Sequence, residues 1–392
     1  MYKKITLRRG KEESLLRFHP WVFSGAIASN EDAADGDVVR VCSAEGKFIA
    51  VGHYQRGTIA VRVLSFDDEI IDLDFWKRKL TLALRMRQAI GLSGQTGNDT
   101  FRLVHGEGDN LPGLIIDCYG RTMVMQAHSV GMHVARHEIA EALAQVMEGR
   151  VGGIYYKSET TLPFIKGDGQ ENGFLLGSED NNVAMENGLK FYVDWVKGQK
   201  TGFFIDQREN RSLLELYAKG RSVLNMCCYT GGFSVYAMRG GATLVHSVDS
   251  SAKAIDLTNQ NMEMNFPGDD RHRAFCEDAF KFLDSADPVY DLIILDPPAF
   301  AKHRGALHNA LKGYTRLNAK ALERIQPGGI LFTFSCSQVV TKDHFRNAVF
   351  TAAAQARRKV RILHQLHQPA DHPINIYHPE GEYLKGLVLY VE

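Results

Sequence analysis

Apolar and polar positions change their period twice along the chain. Over residues 1–70 the apolar positions alternate in short runs. The runs 37–42, 47–54 and 59–64 predict three short strands, the first two joined by a turn at Glu45-Gly46-Lys47. Strands at such spacing suggest a small β-barrel. Before them, His19-Pro20-Trp21-Val22-Phe23-Ser24-Gly25-Ala26-Ile27 reads as a short helix or turn carrying bulky anchors. Between 72 and 90 the period lengthens: Leu73, Trp76, Leu80 and Leu84 recur at three- and four-residue steps, predicting a helix. Residues 114–120 and 122–126 then predict a hairpin, followed by a helix over about 130–147, which together make a small α+β module. Residues 167–182, rich in Gly, Asp, Glu and Asn, read as an exposed loop or linker.

From about 185 strands and helices alternate. Val223-Leu224-Asn225-Met226 is a strand, with a helix starting after Gly231-Gly232; 244–248 is a strand and 251–265 a helix. A strand over 291–295 ends at Asp296-Pro297-Pro298, a helix follows over 306–326, and 329–334 is a further strand. Such alternation predicts a doubly wound, Rossmann-like and mostly parallel sheet, with its ligand at the carboxyl ends of the strands. The chain therefore reads as a multidomain α/β protein: a small β-barrel over 1–72, a central α+β domain with linker over 73–184, and a Rossmann-like domain over 185–392.

Composition changes this picture little. A hydrophobic content of 44% and a charged content of 23% suit a soluble globular chain. No apolar window approaches the roughly 20 residues needed to span a membrane, and the start lacks the apolar core of a secretory signal, so a cytosolic location is expected. Lys plus Arg equals Asp plus Glu at 46 each, so any phosphate-binding surface must be a local patch. The six cysteines, at 42, 118, 227, 228, 276 and 336, form no Cys-x-x-Cys pair. No His-Cys cluster shows metal-ligand spacing, and neither disulfides nor a metal are expected.

The candidate chemistry lies at the strand ends. The strand 223–226 runs into Cys227-Cys228-Tyr229-Thr230-Gly231-Gly232-Phe233. Glycines at a strand-to-helix turn let a ligand approach the backbone, and the helix N-terminus adds free N–H donors. Asp249, ending the next strand, is placed to accept both hydroxyls of a ribose. Asp278 follows one unit later, where an acidic residue faces an adenine amine. The sequence is not Gly-x-Gly-x-x-Gly, so the set reads as S-adenosylmethionine binding, not as a pyrophosphate site. Taken singly, each Gly or Asp is more often a turn or a helix cap.

Asp296-Pro297-Pro298-Ala299-Phe300 leaves a buried strand, and the prolines force the chain out over the sheet edge. The next strand ends in Phe334-Ser335-Cys336-Ser337; Cys336 should lie beside Asp296 if the two strands are neighbours. A thiolate there can attack carbon 6 of a pyrimidine, which makes carbon 5 enamine-like and able to take a methyl group. Asp296 would hydrogen-bond the ring nitrogen. A lone cysteine is by default a small buried hydrophobe, and for Cys227 and Cys228 that packing role is kept.

These motifs, in order and spanning essentially the whole chain, resemble the large-subunit (23S) ribosomal RNA cytosine-5 methyltransferases that carry an N-terminal PUA domain. His19-Pro20-Trp21-Val22-Phe23-Ser24-Gly25 resembles the opening PUA motif, and Gly106-Glu107-Gly108-Asp109-Asn110-Leu111-Pro112-Gly113-Leu114 the start of the central domain. Lys200-Thr201-Gly202-Phe203-Phe204-Ile205-Asp206-Gln207-Arg208 resembles the segment that opens the catalytic domain and helps hold the methionine end of the cofactor. Tyr377-His378-Pro379-Glu380-Gly381-Glu382-Tyr383-Leu384-Lys385-Gly386 resembles the C-terminal signature; neither His372 nor His378 is given a role. The resemblance implies Cys336 as nucleophile, with Asp296 beside it. It implies S-adenosylmethionine held by Asp206, Gln207, Arg208, Tyr229, Thr230, Gly231, Asp249, Ser250, Asp278 and Asp296. Cys227-Cys228 departs from the family, where Phe-Ser or similar is expected. No second cysteine follows Asp296, so the base that takes the carbon-5 proton is unassigned.

The implied partner is ribosomal RNA, presented single-stranded or splayed because the target base must leave its stack. Lys3, Lys4, Arg8, Arg9 and Lys11, and the cluster Arg357, Arg358, Lys359 and Arg361, are candidate phosphate contacts, each alone more often a solvated charge. Trp21 and Trp76 read as core anchors. A homodimer is compatible with this reading. Two alternatives stay open: an RNA methyltransferase acting on an exocyclic amine, which needs no Cys336, and a non-catalytic RNA-binding assembly factor that keeps the cofactor pocket.

Overall fold

A computed structural model describes residues 2–94, 96–162, 172–179, 181–285 and 290–392. The chain divides into two compact units: Met1–Gly188 with Val193–Ile205 and Ala370–Gly381, and Leu189–Tyr192 with Asp206–Pro369 and Glu382–Glu392.

The first unit opens with β1 (Lys3–Leu7), α1 (Glu13–Leu16), β2 (Trp21–Phe23), β3 (Ile27–Asn30), β4 (Val38–Cys42), β5 (Phe48–Tyr54) and β6 (Ile59–Ser65). These strands form a six-stranded sheet in the order β2-β6-β5-β4-β1-β3, closed over Ile5, Leu7, Val39, Val41 and Val61. The segment expected as a helix or turn at 19–27 is instead strand β2, a single 3-10 turn over Ser24–Ala26, and the start of β3. Trp21, Val22 and Phe23 are strand formers and pair with β6, while the Pro20 carbonyl accepts from Val63 N at 2.8 Å.

The same unit continues with α2 (Leu73–Ala89), β7 (Thr100–His105), β8 (Leu114–Tyr119), β9 (Thr122–Ala127), α3 (Val130–Val134), α4 (Arg136–Val146), β10 (Gly153–Tyr156), β11 (Gly173–Gly177) and β12 (Val183–Glu186). Asp72 caps α2 by accepting from Phe75 N, and α2 buries Phe75, Trp76, Leu80 and Leu84. The sheet order is β11-β10-β9-β8-β7. The single helix expected over 130–147 is two, because Ala135, at φ −78° and ψ 0°, opens the helical turn between them. Part of the linker expected over 167–182 is strand β11; residues 167–171 and 180 of it lie outside the described residues. Trp76 is a core anchor, with Nε1 donating to Glu138 at 3.1 Å.

Segment 370–381 is tied into this unit by buried charge. Arg87 donates to Asp109 Oδ2 at 2.8 Å and to the Asp371 carbonyl at 2.7 Å, and Arg102 N donates to Asp371 Oδ2 at 2.9 Å. Gly108 is glycine for a steric reason: a Cβ there would lie 2.0 Å from the Pro373 carbonyl oxygen.

The second unit contains β13 (Leu189–Tyr192), α5 (Arg208–Ala218), β14 (Ser222–Met226), α6 (Gly232–Arg239), β15 (Leu244–Asp249), α7 (Ala252–Asn265), β16 (His272–Cys276), α8 (Ala279–Ser285), β17 (Leu292–Leu295), α9 (Leu307–Arg324), β18 (Gly329–Ser335), α10 (Lys342–Gln355), β19 (Val360–His367) and β20 (Lys385–Val391). Its seven-stranded sheet runs β16-β15-β14-β17-β18-β20-β19; the first five strands are parallel, and β20 is antiparallel to both its neighbours. Strand order reverses between β14 and β17, which opens a crevice at their carboxyl ends. Among the described residues, no helix is long and apolar enough to cross a membrane.

Candidate active site

The turn after β14 is built from three left-handed residues, Cys227 (φ 57°), Tyr229 (φ 48°) and Gly231 (φ 76°). Helix α7 holds it from behind. Thr258 Oγ1 donates to the Tyr229 carbonyl at 2.9 Å, and Asn261 Nδ2 to the Thr230 carbonyl at 2.8 Å. A Cβ on Gly231 would stand 2.6 Å from Thr258 Cγ2, so close packing by α7, together with the positive φ, demands the glycine.

Asp249, at the end of β15, clamps the same turn. Its Oδ2 accepts from Tyr229 N at 3.0 Å and its Oδ1 from Ser251 N at 2.9 Å. A carboxylate offers about four acceptor sites, so each oxygen keeps capacity for a hydroxyl of a ribose diol. Ser250 is exposed beside it, and its carbonyl accepts from the Cys276 thiol at 3.6 Å. Asp278 Oδ1 caps α8, accepting from Phe280 N at 3.0 Å and Lys281 N at 3.1 Å; Oδ2 makes no hydrogen bond among the described residues.

Asp296 leaves β17 directly. Because Met226 pairs with Leu295, Asp296 and Cys227 are the next residues on two neighbouring strands at the point of reversal. Gln207 Nε2 donates to Asp296 Oδ2 at 3.0 Å, and Asn210 Nδ2 donates to Gln207 Oε1 at 2.6 Å, which fixes the amide so that its N–H faces the carboxylate. Tyr383 donates to Asp206 at 2.7 Å. Arg208 is buried, with Nη2 donating to Glu209 at 3.1 Å. The acids converge electrostatically: burial, then Asp249, Asp296 and Asp278 in that order, push the Cys227 thiol up to about 12. Cys227 thus stays protonated, as does the more deeply buried Cys228, and both fit the packing role expected of them.

Strands β17 and β18 are parallel neighbours, as the reading of Asp296 beside Cys336 requires. Cys336 follows β18 and is half-buried, while its flanking serines are sealed. Ser335 Oγ donates to Tyr314 OH at 2.9 Å, and Ser337 Oγ to the Ala301 carbonyl at 2.5 Å. The serines are anchors of the loop. Burial pushes the Tyr314 hydroxyl up to about 12; both Cys336 and Asp296 add to that shift, so the two groups act on one point.

Three supporting residues had no signal in the sequence. Lys385 stands in the C-terminal signature, but only the antiparallel pairing of β20 with β18 brings it under the Cys336 loop. Asn210 and Thr258 look like ordinary helical polar positions until the tertiary structure gives them partners. Among the candidate phosphate contacts, Arg358 is structural: its Nη1 donates to the Leu322 and Ile325 carbonyls at 2.9 and 3.0 Å, closing the end of α9. All six cysteines are free thiols.

The family described as S-adenosylmethionine-dependent methyltransferase matches residues 173–380, and a PUA-like domain matches residues 5–66. The chain is 38% identical to the ribosomal RNA large subunit methyltransferase I of Erwinia tasmaniensis over all of both chains. It is 40% identical to the protein of that name from Shewanella denitrificans, with 99% of each chain covered. Among solved structures, an S-adenosylmethionine-dependent methyltransferase from Streptococcus mutans superposes with a TM-score of 0.84 at 24% identity, covering 99% of this chain and all of that one. A methyltransferase crystallised with S-adenosylhomocysteine gives 0.85 at 24% identity, with the same coverage. None of these matches speaks for a homodimer.

Proposed function

The chain belongs to the S-adenosylmethionine-dependent methyltransferases of the ribosomal RNA large subunit methyltransferase I family, and from that premise we propose that it methylates carbon 5 of a cytosine in large-subunit ribosomal RNA through a covalent bond to Cys336. Its cofactor is S-adenosylmethionine, which supplies a methyl group on a sulfonium as the electrophile. The residues at the crevice fit that molecule: Asp249 keeps acceptor capacity for the ribose, Asp278 has a spare oxygen for the adenine amine, and by the family resemblance Asp206, Gln207 and Arg208 would hold its methionine end. The PUA-like domain is the proposed RNA-holding surface.

The observation that carries the proposal is the adjacency of β17 and β18, which ends Asp296 and the half-buried Cys336 at neighbouring strand termini. The thiolate of Cys336 bonds to carbon 6 of the flipped cytosine. The ring electron pair moves toward nitrogen 3, where Asp296 in its acid form donates its proton, leaving carbon 5 enamine-like and nucleophilic. Gln207 holds the Asp296 carboxyl in place. After carbon 5 is alkylated, a base removes its proton, the carbon–sulfur bond breaks to return the thiolate, and nitrogen 3 gives its proton back to Asp296. Cytosine-5 chemistry is favoured over an exocyclic-amine reaction because the loop is anchored by Ser335, Ser337 and Lys385 around a cysteine that amine transfer does not need.

The test is Cys336→Ala with methylation read by bisulfite sequencing of large-subunit RNA, in cells lacking the gene and in vitro. The expected result is loss of one bisulfite-resistant cytosine with cofactor binding retained. Full methyl transfer by the Cys336→Ala enzyme, or a product methylated on an exocyclic amine, overturns it.

A further inference from the structure

Two motifs from opposite ends of the chain meet in the first unit, whereas the methyl-transfer site belongs to the second. Segment 370–381 is fixed there by Arg87 and Asp371, by Asn375 Nδ2 donating to Asn110 Oδ1 at 3.0 Å, and by the close approach of Gly108 to Pro373. That brings the 3-10 turn Pro379–Gly381 to the start of β2. Among the described residues, one donor atom each of His19, His378 and Glu380 lies within 4.8 Å of the others. The Glu380 carboxylate spans the two rings: Oε1 lies 3.8 Å from His19 Nε2, and Oε2 lies 3.8 Å from His378 Nε2.

His378 is the residue that ordinary packing does not account for. Its side chain is buried, and neither ring nitrogen has a hydrogen-bond partner. A buried polar group without a partner is costly and rare. The indole of Trp21 meets the ring edge-on at 4.3 Å between centroids, and Trp21 Nε1 is itself satisfied by Glu107 Oε1 at 2.9 Å. Nothing in that wall can pair with the imidazole.

We propose that His19, His378 and Glu380 form a site for a borderline divalent cation of the zinc type, with an open position for water. Two imidazoles and one carboxylate are a zinc donor set, whereas calcium and magnesium require mostly oxygen. Zinc bonds of about 2.0–2.1 Å place tetrahedral donors roughly 3.4 Å apart, so donor atoms that lie within 4.8 Å of one another close on an ion by small rotations of the half-buried His19 and exposed Glu380 side chains. The outer shell suits metal binding too. His19 Nδ1 lies 3.3 Å from Trp21 N and 3.4 Å from the Trp21 carbonyl; in the tautomer with the proton on Nδ1 it donates to that carbonyl, which leaves Nε2 to ligate the ion. The bound ion would join the β-rich N-terminal sheet to segment 370–381.

Full-length protein stripped with chelator and titrated with zinc chloride tests this. One equivalent is expected to bind, to raise the melting temperature by several degrees, and to give a tetrahedral visible spectrum when cobalt(II) replaces zinc. His19→Gln and Glu380→Gln alter partly exposed side chains, and each is expected to weaken binding at least tenfold with an unchanged circular dichroism spectrum. His378→Gln is expected to abolish it. The proposal is overturned if the wild type takes up no zinc, or if the double variant His19→Gln/Glu380→Gln binds it as the wild type does. Magnesium chloride at the same concentration is expected to give neither signal, and saturable magnesium uptake at this site would reassign it.

Discussion

Lys385 donates to the carbonyl of Ser337, the residue after the proposed nucleophile, at 2.6 Å, and to that of Val340 at the same distance. It opens β20 opposite Ser335 of β18, so one side chain ties the Cys336 loop down from the strand beneath. Lys385→Met keeps the apolar stem and removes both donors. Leaving two buried carbonyls without partners costs about 2–4 kcal/mol of stability in the second unit. Methyl transfer should fall with S-adenosylmethionine affinity unchanged, because the cofactor residues lie on other strands. Calorimetric binding and single-turnover methylation separate the two effects, and an equal loss of both would refute the loop-anchor role.

The same lysine gives a pH signature. Burial lowers its pKa to about 8, against 10.5 for the unfolded chain, although Cys336 pulls it back up. Between those values the unfolded chain binds more protons, so wild-type stability relative to Lys385→Met should rise from pH 8 towards 10.5. A neutral amine keeps two N–H groups, enough for both carbonyls, so the anchor survives deprotonation. Denaturant midpoints of both proteins across this range check the sign.

Gln207→Glu tests the support of Asp296. The replacement is nearly isosteric and can still accept from Asn210, but it sets a carboxylate where an amide now donates at 3.0 Å. Two carboxylates at that distance share a proton, which raises the apparent pKa of the pair. The expected outcome is a methylation pH profile displaced upward by about one unit or more. A profile that drops in height without moving would mean that Gln207 does not act through Asp296.

Much of this was legible before any coordinates, and what was not has physical causes. The strand-helix alternation after 220 is carried by apolar runs such as Ile293-Ile294-Leu295, and the strands read at 223–226, 244–248, 291–295 and 329–334 are recovered, while β16, β19 and β20 were not read. Asp249 ends a strand, Asp278 and Asp296 come just after one, and a strand end is a place a sequence can point to. Misreadings occurred where a local pattern was short. Trp21-Val22-Phe23 has too few residues to show a period, and its strand character comes from pairing with β6. The partners of the site, Asn210, Thr258 and Lys385, are separated from it by long stretches of chain, and polar residues on helices and strand ends carry no periodic signal. The contact of His19 with Glu380 joins the first and last motifs of the sequence, a relation only tertiary structure expresses.

Gly231 offers a test that separates two kinds of strain. Alanine there meets both an unfavourable φ of 76° and Thr258 Cγ2 at 2.6 Å. Gly231→Ala should therefore destabilise the second unit by about 2–4 kcal/mol and weaken cofactor binding. Thr258→Ser removes the offending methyl and keeps the hydroxyl that holds Tyr229. In that background the same glycine change should cost less by about 1 kcal/mol, the remainder being backbone strain. Strict additivity of the two substitutions would show that α7 does not press on the turn.

Acid should weaken the N-terminal sheet through His53. His53 is 3% exposed, lies under Gly131, where a Cβ would stand 2.1 Å from its Cγ, and stacks on Trp76. Burial, and then Arg62, lowers its pKa to about 4. The unfolded value is near 6.5, so the stabilisation is complete above pH 6.5 and is lost as pH falls from there towards 4, reaching about 2 kcal/mol by pH 5. His53→Phe keeps a ring on Trp76 and removes the titration. Its Nδ1 has no partner to lose. The variant should match the wild type at pH 7.5 and exceed it at pH 5, in urea unfolding of the full chain followed by a probe in the first unit. His128, also held near 4 by burial, still titrates in the variant, so the acid slope should shrink by one proton and not vanish. An unchanged slope would show that His53 is already protonated, or already solvated, in the folded protein.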